Sequence, residues 1–140
     1  MGLMTTVDLP ALMRADVLDV TRLPPARLLE LMRAANTWHQ APHGAGVLWL
    51  LRHGTDDMAA PGLTVGVRGP VGAVSWFGET ISEIPEDGSN QEWVEYYLPS
   101  GHDNSMPPGS ELPIERVLAL VEQYARTGSR PTVIAWRPDD

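Results

Sequence analysis

The stretch PIERVLALVEQYARTGSRPTVIAW, residues 113–136, decides how the rest of this chain is read. Pro113 suits the first turn of a helix, where its missing N–H is not needed, and Glu115 complements the positive end of the dipole. Ile114, Val117, Leu118, Val121 and Ala125 recur at helical spacing and predict one buried stripe, with Arg126 at the favoured cationic end. Gly128 suits a helix C-cap, Pro131 forbids the helix from resuming, and Thr132 to Trp136 reads as a strand. In this reading Gly128 and Pro131 make a corner, Arg130 supports the helix end, and Trp136 plugs the core. An amphipathic helix therefore runs into a closing strand.

Working outward, a second helix is expected after Thr21. Pro24 and Pro25 suit its first turn, and Leu28, Leu31, Met32 and Ala35 repeat at i, i+3, i+4, i+7 to an end near Asn36. LMRADVLDV (Leu12 to Val20) reads as a first strand, and GVLWLLRHG (Gly46 to Gly54) as a buried one. GLTVGVRGPVGAVSWFG reads as two strands around Gly69-Pro70, with Leu63, Val65 and Val67 alternating in one arm and Val74 and Trp76 in the other. QEWVEYYLP reads as a further strand, with Trp93, Glu95 and Tyr97 on one face and Glu92, Val94 and Tyr96 on the other. The order β-α-β-β-β-β-α-β predicts an α+β fold: a mostly antiparallel sheet with two helices packed on one face. At 140 residues, 43% hydrophobic and 20% charged, residues 1–140 are expected to form a single domain with a proper core.

Several chemistries are excluded or disfavoured. With no cysteine there is no disulfide framework, thiolate metal site or cysteine nucleophile. Ser75 does not sit in GxSxG, GVRGPVG is not a phosphate loop, and HExxH is absent. His39 and His43 are four apart, but Pro42 and Gly44 make that segment a loop, so no metal or other cofactor is expected. His53 and His102 stand alone. The carboxylate pairs Glu79 with Glu83 and Glu92 with Glu95 could serve acid–base work, but on strands or loops this spacing more often marks a solvated face. MGLMTTVDLP lacks the pattern of a signal peptide and no apolar run approaches a membrane span, so a cytoplasmic protein is expected.

Charge is the more informative property. The net charge is -8, which makes a nucleic-acid backbone a poor partner. All ten basic residues are arginine, and none lies between Gly69 and Glu115. That stretch holds nine acids: Glu79, Glu83, Glu86, Asp87, Glu92, Glu95, Asp103, Glu111 and Glu115. Elsewhere nine acids nearly balance the ten arginines, so one segment carries the whole net charge. Of five tryptophans, Trp49, Trp76 and Trp136 read as packing residues, whereas Trp93 lies among glutamates and suits either packing or an interface.

GAVSWFGE (Gly72 to Glu79), NQEWVEYY (Asn90 to Tyr97) and ELPIERVLALVEQYARTGSRPTVIAW (Glu111 to Trp136) resemble, in order and spacing, the Imm1 family of bacterial immunity proteins. Trp76 matches the family's mid-chain tryptophan strand and Tyr97 an aromatic strand end; Gly128, Arg130, Pro131 and Trp136 match its closing turn and strand. The resemblance covers roughly Leu63 to Trp136. It implies a non-enzymatic antidote to a polymorphic toxin, often one of the nucleic-acid deaminase superfamily. A basic toxin would be met by the acidic stretch, with Glu79, Glu83, Glu86, Asp87, Glu92, Trp93, Glu95 and Tyr97 as the expected toxin-binding set. Two other readings stand beside it: a ligand-binding or catalytic domain using His and carboxylates, and a homodimeric interaction module. Monomer and homodimer both stay open.

Overall fold

The computed structural model describes residues 9–38, 44–54 and 61–139. In chain order the elements are α1 (Leu9–Leu12), β1 (Val17–Asp19), a 3-10 turn (Val20–Arg22), α2 (Pro25–Trp38), β2 (Gly46–Arg52), β3 (Gly62–Arg68) and β4 (Val71–Phe77). They continue with β5 (Ser82–Pro85), β6 (Tyr96–Tyr97), β7 (Glu111–Pro113), α3 (Ile114–Thr127) and β8 (Trp136–Pro138). The strands form one sheet in the order β1-β2-β3-β4-β5-β8; β6 shares the β2 edge with β1, and β7 shares the β4 edge with β5. The α+β class and the mostly antiparallel sheet agree with the sequence. The two parallel pairings, of β1 and of β6 with β2, are the exceptions.

One face of the sheet is the main core. Val47, Trp49 and Leu51 of β2, Leu63, Val65 and Val67 of β3, and Val74 and Trp76 of β4 face α2 and α3. The α2 stripe is the expected one, with Leu28, Leu31, Met32 and Ala35 all buried. On α3 the buried stripe is wider than expected and includes Leu120 and Tyr124, because the helix packs against both the sheet and α2. The Tyr124 ring meets Trp76 edge to face at 5.8 Å, and its hydroxyl donates to the Leu51 carbonyl at 3.4 Å. Gly128 caps the helix in the left-handed conformation (φ 71°), its N–H bonded to the Tyr124 carbonyl.

The second face is covered by the chain itself. From Pro85 the chain leaves the β5 edge, and by Tyr96 it has joined the β2 edge, so residues 86–95 cross the sheet. Tyr96, Met106, Leu48 and Ala73 form a smaller core there. The Tyr96 ring fits only because two glycines lie beneath it: a Cβ on Gly66 would sit 2.6 Å from the ring, and one on Gly46 2.5 Å.

Four expectations need correction. Leu12–Val20 is not one strand: α1 occupies its start, and β1 ends where the Asp19 carboxylate accepts bonds from the Thr21 N–H and the Gly54 N–H. QEWVEYYLP pairs in a ladder only at Tyr96–Tyr97, because the Asn90 side chain folds the preceding turn. The closing strand is Trp136–Pro138 rather than Thr132–Trp136, since the Thr132 and Val133 amides donate to Gln123 Oε1 on α3. Short strands β5 and β7 were not expected at all.

Two consequences are measurable. Gly66→Ala forces its Cβ into Tyr96 and Leu48 and should lower stability to urea by about 1–3 kcal/mol, a loss that shrinks when Tyr96 is already alanine. Burial pushes the Tyr124 hydroxyl from 10.0 up to about 12. A tyrosine with a raised folded-state pKa contributes stability that is complete below the unfolded value and is lost as pH climbs through the folded one. The urea midpoint should therefore fall between pH 10 and about 12, and Tyr124→Phe should reduce that slope.

Candidate functional site

Strand alternation places Arg68, the last residue of β3, on the face away from the helices, where it meets Glu111 at the start of β7. Arg68 Nε and Nη2 each donate to a Glu111 carboxylate oxygen at 2.8 Å, and the Tyr96 hydroxyl donates to the same carboxylate at 2.7 Å. Glu111 is 2% exposed, so these bonds replace the water that its charge would otherwise hold. The carboxylate raises the Arg68 guanidinium above its ordinary value; burial first, and then Glu111, raises the Tyr96 hydroxyl. Asn90 completes the brace: its amide donates to the Glu92 and Pro107 carbonyls, and its oxygen accepts from the Gly109 and Glu111 N–H groups. The crossing segment is therefore fixed on the sheet at both Asn90 and Tyr96.

The nine acids of the arginine-free stretch fall into two sets. Glu83 pairs with Arg130 at 2.6 Å, Asp87 with Arg116 at 3.1 Å, Glu111 with Arg68, and Glu115 with Arg33 at 2.8 Å. Arginines from outside the stretch thus neutralise four of its acids. Glu79, Glu86, Glu92, Glu95 and Asp103 are exposed and form no ion pair among the described residues. Arg130, read from sequence as support for its own helix end, instead ties the closing turn to β5 through Glu83. Trp136 is only half-buried; its indole N–H donates to the Pro131 carbonyl within that turn.

Among the described residues Trp93 is the most exposed large apolar one, at 66%. It lies between Glu92 and Glu95, and all three line a surface cleft of about 550 Å³ with Arg68, Asn90 and Glu111. Tyr97, expected on the same face as Trp93, is instead half-buried in register with Val47. Glu79, Glu83, Glu86 and Asp87 lie around β5, at the other end of the crossing segment. The sequence pattern points to the glutamates and Trp93 but not to Arg68 or Asn90, and it shows Glu111 only as one of nine acids in the stretch. The available signal was Arg68 itself, a charge on a strand whose alternation turns it away from the core.

Among the described residues no three His, Asp or Glu side chains gather as metal ligands. His39 and His43 lie outside the described residues. His53 packs beneath Gly128, where an added Cβ would come within 2.8 Å of its ring, so it serves the corner. No described helix is long and apolar enough to cross a membrane.

The fold is thus an eight-stranded sheet with α2 and α3 on one face and a braced acidic segment over the other. The family model for Immunity protein Imm1 matches residues 20–138, and the chain belongs to that family. The match starts well ahead of Leu63 and takes in α2 as well as the closing helix and strand. No curated protein matches the chain. Membership gives an antidote role and a cognate toxin as partner, in a family that is generally non-enzymatic.

The brace yields a directional prediction. Arg68→Met strands a buried carboxylate and should cost about 3–5 kcal/mol in urea unfolding. Glu111→Gln leaves Arg68, whose side chain is 35% exposed and can rehydrate, so its cost should be the smaller, about 1–3 kcal/mol.

Proposed function

We propose that this protein binds a basic toxin domain in the cytoplasm, one of nucleic-acid deaminase type, and inhibits it by laying its acidic segment over the active-site surface. The observation that carries this reading is the division of the acids: arginines hold four in place, and five stay exposed, three of them (Glu86, Glu92 and Glu95) on the segment that crosses the sheet. A toxin that acts on nucleic acid needs a basic surface, and opposite charge speeds encounter while rejecting wrong partners. Within the proposed contact set of Glu79, Glu83, Glu86, Asp87, Glu92, Trp93, Glu95 and Tyr97, the unpaired acids supply steering. Glu83 and Asp87, already in ion pairs, contribute less.

Co-expression with the toxin of the neighbouring gene should restore growth. Replacing Glu79, Glu86, Glu92 and Glu95 by Gln and Asp103 by Asn should slow association at low salt by about tenfold or more and flatten its salt dependence. Replacing Glu83 and Asp87 should change the rate much less. An association rate that ignores the first set places the interface elsewhere.

A further inference from the structure

The cleft beside Trp93 has features that general charge steering does not require. Its floor is rigid, because Asn90 makes four hydrogen bonds that fix the turn before Glu92. Its one lining cation among the described residues, Arg68, is already engaged by Glu111 through two parallel bonds. The wall carries an exposed indole flanked by two carboxylates, Glu92 and Glu95, that form no ion pair among the described residues. Gly44 and Ala45 line the same cleft.

We propose that this cleft is the seat for a single arginine side chain presented by the partner protein, stacked on Trp93 and held by Glu92 and Glu95. This rests on the antidote reading above and names the anchor of that interface. Charge complementarity selects a cation, since the described lining residues include one arginine against three glutamates. The aromatic wall selects the cation: a guanidinium is planar, weakly hydrated and able to stack on a ring while its edge donates to carboxylates, whereas an ammonium is a compact hydrated charge. An aromatic residue beside charged partners at the centre of an interface is also the usual form of a binding hot spot.

The test uses the intact protein and the toxin domain of the neighbouring gene, carrying an inactivating substitution. Because Trp93 is 66% exposed, Trp93→Ala leaves the fold intact, and a melting curve verifies this. Trp93→Ala should raise the dissociation rate by at least tenfold, Trp93→Phe by less, and Glu92→Gln with Glu95→Gln by about tenfold. Each surface arginine of the toxin domain is then changed to alanine and to lysine. One of them should lose affinity in both forms against the wild-type protein, yet lose little more once Trp93 is alanine. Absence of any arginine coupled to Trp93, or dissociation rates unchanged by Trp93→Ala, overturns the arginine seat while leaving the antidote reading in place. Failure of the wild-type protein to bind or neutralise the toxin overturns that reading itself. Equal binding when the coupled arginine is lysine shows a general cation site and contradicts the proposal.

Discussion

The carboxylate of Glu111 is a full charge removed from water, and the second face of the sheet depends on how that charge is satisfied. Leaving an ion buried without partners costs several kcal/mol, so Glu111 can stay inside only while Arg68 and Tyr96 bond it. That need draws together β3, β6 and β7, three elements whose apolar contacts alone would not fix their positions. Tyr96 must then lie flat over the sheet, and Gly46 and Gly66 are the residues that let it. The brace fixes the start of β7 and the end of the crossing segment to β3 through one carboxylate.

The same brace changes how the net charge is understood. In the sequence, nine acids and no arginine between residues 69 and 115 look like one uniform negative patch. In the fold, arginines from β3, α2, α3 and the closing turn reach into that stretch and neutralise four of them. Two of those pairs are cross-links of the architecture: Arg33–Glu115 joins α2 to α3, and Arg130–Glu83 joins the final turn to β5. The acids left exposed and without an ion pair among the described residues are fewer: Glu79, Glu86, Glu92, Glu95 and Asp103. A preordered surface loses less entropy on binding, which suits an antidote that must capture its target quickly.

The helices and central strands were legible because their signals are local. Leu28, Leu31, Met32 and Ala35 report a helix face by spacing alone, and Leu63, Val65 and Val67 report a strand face in the same way. The turn at Gly128 and Pro131 was legible for the same reason. What failed was everything that rests on long-range pairing. β5 and β7 are too short to show a period, and β8 begins late because Gln123, on a different element, takes the amides of Thr132 and Val133. Arg68 and Glu111 are 43 residues apart, so no local pattern links them, and an acid in an acidic stretch gives no sign of being buried. Trp93 is far more exposed than Trp49, Trp76 and Trp136, but the residues that share its cleft come from three other parts of the chain.

Amide hydrogen exchange on the protein, free and bound to its toxin domain, tests the central claim most directly. If the braced segment is the working surface, exchange should slow on binding at residues 91–95 and change little on the outer faces of α2 and α3. Protection confined to the α2–α3 face, with residues 91–95 exchanging as they do in the free protein, would contradict it.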